Sequence, residues 1–444
     1  MNFELAYIPI GVPTFHLESA QAEFEKSIKL LKSINADAVY PSEMLLSLDK
    51  LNAFCSTVNP DLVIVQNVTF ANSAYISEVL KRFDCPVLLW TLREPVIDGG
   101  RLRLNSLTGA FSAGNTMTLL GRSFDYVFGA PDELATASKI RAVVKAAEVK
   151  KELKSLNLLQ VGHTPQGFGF GRADDAEMLR YFGATLYSIE ARELIDKAKS
   201  FSDEDIKAYL DDASERINGL DGTVEKNRLD FARLYRAYAE YCRDNNIKAL
   251  SSRCWPDFFT AFGTPVCAVL AMLNDLGVSA SCEADSYGAL TMYIAQYITG
   301  SPVFFGDPVS MNEDENTITF WHCGTAACSL AREDTGACAD VHCNRKIGPT
   351  LDFGCKPCKR ASIVRIGKDG KGDFRIFISN GEILDKPKQF NGTSLVVKTD
   401  NNAERIINKA VTDGWEPHFV VSYGDIGQEI KSLGNMLGIE VIEY

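Results

Sequence analysis

ELAYIPI at residues 4–10, DLVIV at 61–65 and PVLLW at 86–90 are short apolar, β-branched runs set between longer amphipathic stretches, and their reading decides the fold of the first part of the chain. ADAVY at 36–40 reads as a further strand, and the periodicity around Ala20–Ser33 and Ser73–Phe83 predicts helices. A strand without a polar face is covered on both sides, and strands that alternate with helices form a parallel sheet between two helical layers. An open α/β domain is therefore expected over residues 1–155. Ligands of such sheets bind beyond the carboxyl ends of the strands, which marks Gln66, Asn67 and the segment after Trp90 as a candidate crevice.

Outward from there, NLLQVGHTPQGFGFG at 157–171 runs from a strand into a glycine-rich loop. GFGFG matches neither a P-loop nor a dinucleotide fingerprint and reads as a turn. Helical patterns at Asp174–Phe182, Asp203–Ala213 and Val224–Asn245 precede the strand KALSS, two apolar helices (265–277 and 287–300) and the strand SPVFFGD at 301–307. Beyond this, ENTITFWH, RASIVRIG, FRIFISNGEIL and TSLVVK alternate without intervening helices and are broken by turns such as KDGKGD, the pattern of an antiparallel unit. The tail returns to helix (402–413), strand (418–424), helix (426–437) and strand (439–444). The expected fold class is α/β: two open, Rossmann-like α/β domains (1–155 and 156–310), then a β-rich, barrel-like C-terminal region with an α/β tail (311–444).

At 444 residues and 46% hydrophobic, the chain buries a large core without difficulty. Its net charge of -12, with no run of Lys and Arg, excludes the basic footprint of a nucleic-acid binder. The N-terminal MNFELAYIPIGVPTF has no basic n-region or cleavage site, and no apolar stretch reaches the roughly 18–20 residues that span a bilayer. A cytoplasmic enzyme of small-molecule chemistry is expected, without membrane or nucleic-acid partner. Twelve cysteines spread over this length are expected to be reduced thiols rather than a disulfide framework.

The residues that carry chemistry concentrate between Cys254 and Cys328. Glu283 and Asp285 stand between a short strand and a helix, and Asp307 ends the apolar run SPVFFG. A carboxylate in such a place is costly to desolvate unless it is hydrogen-bonded or bound to a cation. His322 ends one strand and His418 opens another, so either or both imidazoles complete a candidate metal pocket. The plainer alternatives are that Glu283 or Asp285 caps the helix beginning near Ser286, and that His322, beside Trp321, is a hydrogen-bonded core residue. Trp255, Trp321 and Tyr287 are either apolar walls for a sugar face or core packing. Arg101, Arg103 and Asn105 in GGRLRLN place donors near the crevice, or are solvated surface. Cys323, Cys328, Cys338, Cys343, Cys355 and Cys358 crowd one region with His322 and His342, and the C-x2-C pair raises a separate thiolate metal site as an alternative to isolated thiols.

CEADSYGALTM (282–292), GDP (306–308) and WHCG (321–324) resemble the catalytic core of the L-fucose isomerase family and its L-arabinose isomerase relatives. GGRLRLNSLTGAFSAG (99–114) and PHFVVSYGDIGQEI (417–430) resemble further segments of these proteins, so the likeness spans most of the chain. The resemblance implies a metal-dependent aldose–ketose isomerase acting on a free sugar through a cis-enediol. Glu283 and Asp307 are then the proton-transfer pair and ligands of a divalent cation, Mn2+ in the usual case, with His418, while His322 is a further ligand or a substrate contact. It also implies that Arg101 and Asn105 reach a neighbouring subunit's site in a homo-oligomer, a trimer or hexamer. Arg101, Arg103 and His163 are the cations that would pair with an anionic C6 substituent. The competing readings are another enolisation or aldol-type reaction on the same carboxylates, and a non-catalytic sugar-binding protein.

Overall fold

The computed structural model describes residues 3–444 and resolves the chain into two compact units. One contains the chain up to Glu152 together with Gln428–Ile439. Its strands Leu5–Ile10, Leu62–Asn67, Val87–Thr91 and Asp125–Phe128 lie side by side in that order, all parallel. The first three are buried at every residue, as apolar runs without a polar face require. ADAVY does not become a strand. Asp37 and Ala38 donate their N–H groups to Asn35 in the turn after the first helix, so only Val39 remains to bridge Ala6 and its neighbours. Gln66, expected to face a crevice, is buried and held by the side chains of Tyr7 and Ser27.

The other unit comprises Leu153–Gly427 and Glu440–Tyr444. Its first layer is a parallel sheet in the order Thr185–Ile189, Asn157–Val161, Ile247–Ser252, Ser279–Cys282. The loops after the last three of these carry the GFGFG segment, Trp255 and Glu283, so three candidate segments leave one sheet edge. The second layer is a closed antiparallel barrel. Going round it, Phe374–Ile383 pairs with Cys358–Lys368, then Phe419–Tyr423, Phe304–Asn312, Thr317–His322 and Thr393–Thr399, which returns to Phe374–Ile383. SPVFFGD, expected as the last strand of the central α/β region, is a barrel strand instead. Its apolar run suits any strand covered on both faces, so its pairing partner was open until the tail strand Phe419–Tyr423 lay beside it.

Barrel closure depends on a close approach at Gly381, which pairs with Thr399. A Cβ at Gly381 would collide with the carbonyl oxygen of Lys398 on the closing strand. Gly381→Ala is therefore expected to destabilise the protein by about 1–3 kcal/mol, the usual range for overpacking, as measured by urea unfolding. An unchanged midpoint would show that the closing strands have room to spread.

Candidate active site

Strand register alone gathers three of the candidate residues. Gly306 lies opposite Phe419 and Asp307 opposite Trp321, so His418 and His322, each one position away, flank Asp307. Glu283 arrives from the central sheet, in the turn between Ser279–Cys282 and the helix Ser286–Thr299. Glu283 and Ala284 both hold left-handed backbone, φ 56° and 54°. Two consecutive non-glycine residues in that region are strained, and such strain persists where the surroundings over-determine it, characteristically at functional sites. Here the turn directs the Glu283 carboxylate at both histidines, 3.0 Å from His418 Nε2 and 3.7 Å from His322 Nε2. Asp307 Oδ1 is 3.5 Å from the same His418 nitrogen.

Asp285 does more than cap its helix. One oxygen accepts the Gly288 N–H at 2.8 Å, the capping role read from the sequence. The carboxylate also accepts two bonds from Arg365, at 2.6 and 3.1 Å, and the His418 Nδ1–H at 2.9 Å. His418 is thereby fixed with Nδ1 on a carboxylate and Nε2 turned to Glu283 and Asp307, the arrangement that orients metal-binding histidines. Arg365 was missed as a site residue. Its signal was a lone charge inside the apolar strand run IVRIG, and it is fully buried.

The charges reinforce one another. Burial pushes Glu283 up, but the two histidines outweigh it and hold the carboxyl at about 2. Burial likewise opposes ionisation of Asp285, and Arg365 with His418 overcomes it, leaving the group well below the usual carboxylate range. His418 is depressed by burial yet raised to about 9 by Asp285 and Glu283. Asp307 differs: burial dominates, the histidines compensate only in part, and its pKa is raised.

Aromatic rings wall the site. Phe305 lies 4.8 Å from the His418 ring and 5.6 Å from that of His322, and Phe170 meets His418 edge-on at 5.2 Å. Phe168 and Phe170 belong to the GFGFG loop read as a turn. The loop packs so closely that a Cβ on Gly171 would sit 2.7 Å from Asp285 Cα. Trp255 packs edge-on against Phe168 at 6.0 Å, and Trp321 stacks beside His322 at 6.3 Å while donating its indole N–H to the Asn391 carbonyl. Tyr287 is buried, with its hydroxyl on Glu177 and its ring against Phe374. Arg101 and Asn105 belong to the other unit, where Arg101 donates to the Thr14 carbonyl and the Asn105 side chain accepts from Thr108.

The thiolate metal site raised as an alternative at the C-x2-C pair does not form: among the described residues neither Cys355 nor Cys358 joins a set close enough to share an ion. Among the described residues, Cys323 is the one cysteine of that run in such a set, grouped with Cys267 and His342 and with Cys282 and His322, so its thiol companions come from outside the run. All twelve cysteines are free.

Residues 357–444, which supply most of the barrel and His418, match the family profile of the L-fucose isomerase C-terminal domain. The sulfoquinovose isomerase of Clostridium sp. (strain MSTE9) is 58% identical over 444 residues, covering 100% of this chain and 99% of the relative. Those of Priestia aryabhattai (35% over 450 residues, 100% of this chain and 99% of the relative) and Alkalicoccus urumqiensis (34% over 443 residues, 98% of each) are similar along their whole lengths. The chain belongs to the fucose isomerase-like family. It is an isomerase, and the family points to interconversion of a sugar aldose and ketose.

In this fucose isomerase-like enzyme, the buried pair of Asp285 and Arg365 supports the site from behind. Removing one partner of a buried ion pair leaves the other uncompensated, so Asp285→Ala is expected to cost roughly 3–5 kcal/mol in chemical denaturation. A loss under about 1 kcal/mol would show that Arg365 finds another partner.

Proposed function

We propose that this chain is a divalent-metal-dependent isomerase that converts sulfoquinovose, an aldose carrying a sulfonate on C6, to its 2-ketose through a cis-enediol. The convergence of Glu283, Asp307 and His418 carries the reading: carboxylate oxygens 3.0 and 3.5 Å from one imidazole nitrogen, with the other nitrogen tied to Asp285. Two carboxylates and an oriented histidine suit a hard cation such as Mn2+. The substrate is drawn from the name of the 58% identical relative.

Glu283, Asp307 and His418 would hold the cation, with His322 either a further ligand or a contact to a sugar hydroxyl. When bound, the cation polarises the carbonyl and stabilises the negative charge that develops on O1 and O2. Asp307 is the more accessible carboxylate, its side chain 32% exposed against 16% for Glu283. In this reading it takes the C2 proton and returns it at C1 on the same face, as a cis-enediol route requires. Glu283, between the two imidazoles, relays the hydroxyl proton between O2 and O1. Phe168, Phe170, Phe305, Trp255 and Trp321 exclude water around the exchange.

The same reading includes a homo-oligomer, a trimer or hexamer, in which Arg101 and Asn105 serve a neighbouring subunit. Its support is apolar surface beside GGRLRLN: Ile97 is 93% exposed and Phe111 74%. Light scattering on the eluting protein is expected to give a mass of three or six chains, and a monomer would remove this part of the proposal.

For the reaction, metal-stripped protein is expected to convert sulfoquinovose only after manganese is restored. Asp307→Asn should lose at least about 100-fold in kcat, the scale of a general base. Undiminished turnover after chelation, or by the Asn variant, would overturn the metal-dependent mechanism.

A further inference from the structure

A sulfonate is fully ionised at neutral pH, so a site that selects it needs a cation that is not already neutralised. The cations proposed from the sequence are mostly engaged. Arg103 holds Asp98 through both terminal nitrogens, at 3.1 and 2.9 Å, and Arg101 donates to a backbone carbonyl. Within the unit that carries Glu283 and both histidines, Arg253 is the arginine next to the Trp255 turn. It is paired with Asp257 at 2.7 Å and also donates to the Trp255 carbonyl.

Arg345 is in a different state. It is exposed, and among the described residues no carboxylate pairs with its guanidinium. Two rings hold it instead: its guanidinium carbon lies 5.3 Å from the Trp255 ring centroid and 4.9 Å from that of Phe259. Both rings lead into the site. Trp255 contacts Phe168, whose ring is 6.4 Å from that of His418. Phe259 meets His342 edge-on at 5.3 Å, and His342 lies within ligand distance of Cys323, the neighbour of His322. The turn beneath is braced, since the Asn344 and Arg345 N–H groups point at His342 Nδ1, 3.2 and 3.4 Å away.

We infer that Arg345 is the residue that binds the C6 sulfonate, above the aromatic wall formed by Trp255, Phe259 and Phe168. This rests on the sulfoquinovose reading above. Aromatic faces hold the plane of a guanidinium while leaving its N–H edge unsatisfied, and that edge matches the oxygens of a tetrahedral anion in a two-pronged bond. A neutral hydroxymethyl at C6 offers no charge to this edge, so the contact favours the sulfonated sugar over its neutral analogue. Trp255 then has two tasks, shielding the reacting carbons on one face and carrying Arg345 on the other.

The test uses the manganese-loaded full-length enzyme with sulfoquinovose. Loss of a charge-assisted pair far from the reacting carbons weakens binding equally before and at the transition state, so Arg345→Gln should raise KM roughly 10- to 100-fold with kcat within about twofold. Arg345→Lys, which keeps the charge but not the fork, should fall between. Methanesulfonate should compete with substrate in the wild type and lose affinity in parallel in Arg345→Gln. Arg192→Gln, on the helix Ala191–Lys199, is the control expected to change neither constant. A KM for Arg345→Gln within about twofold of wild type, or an equal loss in Arg192→Gln, would overturn the inference while leaving the isomerase reading intact. Wild-type enzyme that fails to turn over sulfoquinovose would overturn the substrate reading and this inference together, and that result appears before any variant is compared.

Discussion

The buried bonds between Arg365 and Asp285 are the interaction on which the site depends. Both side chains are out of solvent, so each charge has given up its hydration and is tolerable only because the other is present in bidentate geometry. Arg365 stands on the barrel strand Cys358–Lys368, and Asp285 in the turn that leaves the central sheet. The pair therefore joins the two layers of its unit at the place where the candidate site residues meet. His418 is the third member. Its orientation is inherited from Asp285, and through it the positions of Glu283 and Asp307 relative to one imidazole are set.

Close approach and strain complete what the ion pair begins. The left-handed backbone of Glu283 and Ala284 turns the carboxylate back towards the barrel, where a relaxed strand-to-helix connection would carry it elsewhere. Gly306 lets the Asp307 strand lie against Trp321, since a Cβ there would sit 2.5 Å from the Trp321 carbonyl oxygen. Gly171 lets the aromatic loop close over Asp285. These are sites where backbone must approach backbone, and a side chain of any size would open the pocket.

Ligand chemistry divides the surroundings of the histidines into a hard and a soft side. Carboxylates face the Nε2 atoms of both, while thiols lie behind His322, with Cys323 Sγ 3.3 Å from its Nδ1 and Cys267 Sγ 3.8 Å from Cys323. Hydrogen bonds from Cys267 and Cys282, with His322 beside them, draw the Cys323 thiol well below its ordinary pKa. In the metal-dependent reading proposed above, a hard divalent cation would favour the oxygens over these thiols, which are soft and polarisable.

By itself the sequence determined the α/β class, the antiparallel character of the C-terminal β region, and that Glu283, Asp307, His322 and His418 stand at the ends of strand-like runs, because periodicity and the oddity of a charge beside an apolar run are local properties. The capping role of Asp285 was legible for the same reason. The tertiary structure decided partnership. That SPVFFGD joins the barrel, that Val39 makes only a bridge, that Cys323 gathers Cys267 and Cys282 rather than the other cysteines of its own run, and that Arg365 reaches across 80 residues to Asp285 all depend on contacts between distant segments. Hydrophobic patterning states that a segment is buried but not against what. Only when the strands had paired did Asp307 find the histidines beside it, and only when the loops had packed did Arg345 come to rest on Trp255 and Phe259.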